Sequence, residues 1–100
     1  MEFAETLYWA DQECQATEAS GVAYTLAQCD EWVGQFVCFP HTKHPKPEWR
    51  NRMLKILDQA DDCLKNFDQQ NAEVRVRETD TMMIWDNIRQ ACTHQMNAWA

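Results

Sequence analysis

Residues 47–69 read PEWRNRMLKILDQADDCLKNFDQ. Within them Trp49, Met53, Ile56, Ala60, Cys63, Leu64 and Phe67 recur at short helical steps and fall on one face of a helix with 3.6 residues per turn. Pro47 suits the first helical turn, where its missing N–H is no loss, and no further glycine or proline interrupts the run. On the flanks Glu48 stands four residues before Arg52, and Asp61 four before Lys65. Acid first is the order that supports an exposed helix face. An amphipathic helix of this length has to bury its stripe against something, so its neighbours decide the fold.

Upstream, Pro40, Pro45 and Pro47 fall within eight residues and cannot continue a helix. The spacing therefore predicts a loop over 38–47. Before it, a helix over 21–38 is expected, with Val22, Leu26, Cys29, Val33, Phe36 and Val37 as its apolar positions and Ser20 as its cap. The pair Ser20-Gly21 ends a further helix over 2–19, whose stripe is Phe3, Leu7, Ala10, Cys14 and Thr17. Downstream, a helix over 72–98 is expected, with Asn71 or Thr79 as cap and Thr81, Trp85, Ile88, Cys92, Met96 and Trp99 on its inner face. Residues 73–78 alternate with period two, but a lone strand would have no partner, so they read as the lead-in to that helix. Four amphipathic helices with short connections predict an all-α, small four-helix bundle, a single domain over 1–100.

The charge is segregated. The first 42 residues contain no lysine or arginine and hold Glu2, Glu5, Asp11, Glu13, Glu18, Asp30 and Glu31. All nine basic side chains lie in the remaining 58 residues, with the other nine acids. The formal net charge of −7 thus sits in the N-terminal part. Folding does not require this, because mixed surface charge keeps a domain soluble equally well. A one-signed field does govern which partners approach and how fast. The basic run Lys43, Lys46, Arg50, Arg52 and Lys55 reads as neutralising the acidic helices, within the chain or across a homodimer, since a nucleic-acid binder would rarely carry −7.

Trp9 lies about 120° from the stripe of the first helix, among Glu2, Glu5, Gln12, Glu13 and Ala16. An indole ringed by carboxylates has the composition of a binding hot spot, while the alternative is packing beneath a neighbouring helix. Trp32, at the stripe edge beside Asp30 and Glu31, allows the same two readings. The candidate partner-binding set is therefore Glu2, Glu5, Trp9, Glu13, Asp30, Glu31 and Trp32. Trp49 and Trp85 are on stripe and belong to the core.

Catalytic signatures are absent. Ser20 is the only serine, Gly21 and Gly34 are the only glycines, and no H-E-x-x-H or E-x-x-H run occurs. Cys38 and His41 are near in sequence, without an identifiable orienting group. Asp61 and Asp62 are adjacent and point about 100° apart on a helix. Zinc-type donors occur at Cys38, His41, His44, Cys92 and His94, but paired C-x-x-C spacing does not. Four of the five widely spaced cysteines fall on or beside the apolar stripes, and the set reads as small buried thiols in a reducing compartment. The N-terminus lacks a positive leader region, and the longest uncharged runs are 11 residues against the ~20 a membrane span needs. A non-enzymatic, cytoplasmic protein without cofactor, metal, membrane or direct nucleic-acid contact is expected.

Three functions fit this composition: a protein that binds and blocks a larger basic, nucleic-acid-handling protein or ribonucleoprotein complex; an immunity or antitoxin partner of a basic toxin; and a structural or adaptor subunit, with zinc binding as a variant. Two helices of about 27 Å would face duplex DNA carrying ~16 charges over that length. Seven acids are too few for full DNA mimicry, so a mixed interface of aromatic anchors and a carboxylate rim is expected. In size, acidity and off-stripe aromatics the chain resembles small phage-encoded inhibitors, including anti-CRISPR proteins. That resemblance is one of general character and implies no residue roles. Folding should need no metal: prolonged chelation is expected to leave cooperative thermal unfolding unchanged, and its loss would point back to Cys38, His41 and His44.

Overall fold

The computed structural model describes residues 2–38, 44–69 and 79–100. Four helices account for most of them: α1 (Glu2–Ser20), α2 (Leu26–Cys38), α3 (Pro47–Gln69) and α4 (Thr79–Ala98), with no strand among the described residues. Helix α1 packs on α2, α2 on α4, and α3 on α4. The chain is a small all-α four-helix bundle. The Thr6 hydroxyl donates to Gln35 at 2.6 Å and the Gln28 amide donates to the Thr17 hydroxyl at 2.8 Å, which fixes α1 and α2 antiparallel. Asp61 faces Arg89 at 3.9 Å, and Arg50 donates to the Trp99 carbonyl at 2.6 Å, which does the same for α3 and α4.

The core takes Leu7, Ala10 and Cys14 from α1, Cys29, Trp32, Val33 and Phe36 from α2, Met53, Ile56 and Ala60 from α3, and Trp85, Ile88 and Cys92 from α4. These follow the expected stripes, with Phe3 and Phe67 among the side chains outside the described residues and with departures confined to Val22 and Val37 of the second stripe. Val37 is exposed and Trp32 is fully buried in its stead. Toward one end of the bundle Phe36 meets Trp32, Trp49 and Trp99 edge-on, at centroid distances of 4.9, 5.4 and 5.3 Å. Such pairs add about 0.5–1.5 kcal/mol beyond the area they bury. Trp99, beside the C-terminus, is thereby a lid on the core.

The first connection differs from expectation. Helix α1 ends at Ser20, whose hydroxyl donates back to the Ala16 carbonyl, so Ser20 caps nothing downstream. Gly21 follows at φ 72°, the left-handed turn that only glycine adopts without strain, and its N–H bonds the Glu18 carbonyl. Residues 22–25 are not helical, and Val22 is exposed rather than on a stripe. Helix α2 starts at Leu26 with a reciprocal capping box. The Gln28 N–H donates to the Thr25 hydroxyl and the Thr25 N–H donates to the Gln28 side-chain carbonyl, both at 3.0 Å. Gln59 of α3 clamps the connection: its amide nitrogen donates to the Tyr24 carbonyl at 2.7 Å, and its oxygen accepts from the Tyr24 N–H at 3.3 Å.

Helix α3 begins at Pro47 as expected, and residues 44–46 are non-helical. Residues 39–43 and 70–78 lie outside the described residues, and with them His41, Asn71, the alternating 73–78 and the start of the expected 72–98 helix. Thr79 is the first residue of α4. Removing one hydroxyl should expose the strength of the capping box. Thr25→Ala is expected to destabilise the fold by about 1 kcal/mol in urea titration, and Thr25→Ser to recover most of it.

Candidate interaction face on the first helix

Helix α1 presents polar groups on both sides. On its inner side Asp11 and Glu18 lie two turns apart and converge on one cation, Arg52 of α3. Arg52 is 2% exposed. Its Nη1 donates to Asp11 Oδ1 at 2.7 Å, its Nε to Glu18 Oε2 at 2.8 Å and its Nη2 to Glu18 Oε1 at 3.1 Å. The guanidinium carbon lies 5.1 Å from the Trp32 ring centroid, a cation–π distance. Trp32 donates its indole N–H to Asp11 Oδ1 at 2.6 Å, and Trp49 donates to Asp11 Oδ2 at 3.2 Å. The Tyr24 hydroxyl donates to Glu18. Among the described residues no buried side-chain nitrogen or oxygen lacks a partner.

This arrangement corrects two expectations. Arg52 is not an exposed partner of Glu48, because its guanidinium is wholly engaged by α1. Trp32 is not a partner-binding residue, because it is 0% exposed and bonded to Asp11. Asp61, expected with Lys65, faces Arg89, which also bonds Asp86.

The network controls its own ionisation. The hydrogen bond from Arg52 holds the Glu18 carboxyl below its ordinary 4.5, against partial burial and with help from Tyr24. Burial alone would lower the Arg52 pKa, but the hydrogen bond and charge of Glu18 outweigh it and raise the value above its usual range. Burial, with the Glu18 carboxylate alongside, likewise raises the Tyr24 phenol. The thiols of the core are inert by the same physics. Burial pushes Cys14 up to about 11 and Cys29 and Cys92 to about 12, and it raises Cys63 as well.

The outer side of α1 is different. Trp9 is 64% exposed and Tyr8 55%. Their rings meet edge-on at 5.3 Å and 79°. Glu5 and Glu13 stand one helical turn before and after Trp9, both exposed. Asp30 and Glu31 are exposed on α2, and the antiparallel register set by Thr6–Gln35 and Thr17–Gln28 places Glu31 level with Gln12 and Glu13. The Glu2 side chain lies outside the described residues. Of the two positions open to Trp9, core or surface, it occupies the surface. Glu5, Trp9 and Glu13 thus share one ridge, with Glu31 at the same axial level on α2, while Trp32 is buried against Asp11 on the inner side of α1. Tyr8, absent from the candidate set, belongs with Trp9. Its signal in the sequence was its place 100° from Trp9 and off the Leu7–Cys14 stripe.

Of the other candidate donors, His41 lies outside the described residues and the rest do not converge. Cys92 is buried while His94, Cys38 and His44 are exposed. Among the described residues no three His, Cys, Asp or Glu side chains are grouped as a metal set. A cleft of about 290 Å³ beside Gly21–Tyr24, Lys55 and Gln59 contains one carboxylate, Glu18, already committed to Arg52 and Tyr24. No helix among the described residues is long and apolar enough to cross a membrane.

Two outcomes test the inner network. Arg52→Met leaves the Asp11 carboxylate buried without its cation and should cost about 3 kcal/mol or more in denaturant titration. Glu18 has a lowered folded-state pKa, so its stabilisation is present above the unfolded value and is lost as pH falls through the folded one. Glu18→Gln should therefore be less stable than the wild type at neutral pH, with the gap closing as the solution is taken below 4.5. Comparison with family models, with curated proteins and with solved structures gives no match to this chain.

Proposed function

We propose that this chain is a small acidic interaction protein that binds and blocks a larger basic, nucleic-acid-handling protein or ribonucleoprotein complex, using the outer face of α1. The observation that carries this reading is Trp9, a large apolar side chain standing 64% exposed between Glu5 and Glu13, which among the described residues have no ion-pair partner, outside a core that already holds Leu7, Ala10 and Cys14 of the same helix. Covering the remaining indole surface, roughly 150 Å², is worth about 3–4 kcal/mol before the costs of association. Each carboxylate on the rim contributes only about 0–1 kcal/mol. The indole therefore supplies affinity, and Glu5, Glu13, Asp30 and Glu31 supply the field that selects a basic surface and speeds encounter. This is the logic of a cytoplasmic, cofactor-free inhibitor of the phage type, anti-CRISPR-like in general character, which acts by occupying a basic groove and touches no nucleic acid itself.

The test is capture from lysate with the wild-type chain and with Trp9→Ala, followed by titration of the retained protein. A basic nucleic-acid-handling partner should bind wild type, and Trp9→Ala should lose ~2 kcal/mol or more with its own melting temperature unchanged. Glu5→Lys with Glu13→Lys should chiefly slow association and flatten its salt dependence. A partner that binds Trp9→Ala and wild type equally, or a single acidic partner, would remove this face from the function.

A further inference from the structure

Building on the reading that the outer face of α1 meets a basic partner, we infer that the group received there is an arginine side chain, stacked on the Trp9 indole with its N–H groups donated to Glu5 or Glu13. The ridge is built on four-residue steps, so the backbones of Glu5 and Glu13 lie about 6 Å along the helix from that of Trp9. A stacked guanidinium reaches an acceptor about 4 Å from its centre through its N–H edge, and the glutamate side chains are long enough to close the remainder. Tyr8 packs edge-on against Trp9 and holds the indole in place, leaving a face open to solvent. Among the described residues neither Glu5 nor Glu13 has a cation of its own chain beside it, whereas Asp11 and Glu18 do.

A lysine would serve this ridge less well. Its ammonium is a strongly hydrated point charge that cannot lie flat on an indole and fork onto a carboxylate together. A guanidinium does both and sheds its water more readily. The protein already contains the arrangement. On the opposite side of the same helix, Arg52 lies 5.1 Å from the Trp32 centroid and bonds two α1 carboxylates. The outer ridge repeats that composition, with indole and carboxylates in place and the guanidinium left for a partner to supply.

Short peptides of arginine, of lysine and of citrulline, equal in length, separate stacking from charge. The full chain is labelled with ¹⁵N, and the Trp9 indole N–H signal is identified by its loss in Trp9→Phe. The arginine peptide is expected to shift this signal saturably. The lysine peptide should bind at least about fivefold more weakly, the difference of roughly 1 kcal/mol that a stacked guanidinium provides. Citrulline, planar but uncharged, should not bind, and Trp9→Ala, which spares the core, should abolish the preference for arginine. Equal affinity for the arginine and lysine peptides would overturn the arginine assignment while leaving a basic partner in place. A Trp9 signal unmoved by either peptide would overturn both. An arginine preference that survives Trp9→Ala would place the receptor elsewhere and overturn the assignment as well.

Discussion

The buried guanidinium of Arg52 is the constraint on which the rest of the bundle depends. Helix α1 packs chiefly on α2, α2 also packs on α4, and α4 packs on α3. Arg52 links the two ends of that series directly, by reaching from α3 to Asp11 and Glu18 of α1 while lying over Trp32 of α2. A charge removed from water costs several kcal/mol unless its partners and hydrogen bonds are complete. Here every oxygen of both carboxylates accepts at least one hydrogen bond, with Trp32, Trp49 and Tyr24 adding to those from Arg52. A network of this kind favours one register, since a one-residue rotation of α1 would carry Asp11 off the guanidinium and leave charge buried alone.

The same network changes the meaning of the segregated charge. Two of the seven N-terminal acids are structural and are answered by a cation from the basic run. Among the described residues Glu5, Glu13, Asp30 and Glu31 reach the solvent without such a partner, and Glu5 and Glu13 stand one turn to either side of Trp9, whose ring meets Tyr8. Helix α1 thus divides its work by side. Its inner side closes the fold with a guanidinium from the same chain, and its outer side carries the same side-chain types without one. The outer residues stand clear of the core, so they are open to selection by a partner at little cost in stability.

Much of this was legible in the sequence and some was not, for identifiable reasons. The stripes Leu7–Ala10–Cys14, Met53–Ile56–Ala60 and Trp85–Ile88–Cys92 follow from helical period alone, and they fixed the bundle. Trp9 was found because it breaks that period. Arg52 is legible in part: the basic run reads as answering the acidic helices within the chain, and Arg52 does so, but the period offers Glu48 one turn away as its pair, while Glu18 and Asp11 lie 34 and 41 residues distant and are selected only in three dimensions. Trp32 reads equally as core or surface, and its burial depends on Asp11 and Arg52 meeting its polar and π faces. The start of α2 was a different kind of miss. Thr25-Leu-Ala-Gln28 spells a capping box in the sequence itself, whereas the glycine break at Gly21 suggests a start five residues too early.

The most direct measurement is nuclear magnetic resonance of the Arg52 guanidinium at neutral pH, with assignment by Arg52→Lys. A guanidinium 2% exposed, bonded to two carboxylates and stacked on an indole should give individually resolved Nε–H and Nη–H signals that exchange slowly with water. Arg52 signals that are averaged by free rotation and exchange like those of a solvent-facing arginine would contradict the central claim that this cation ties α1 to α3.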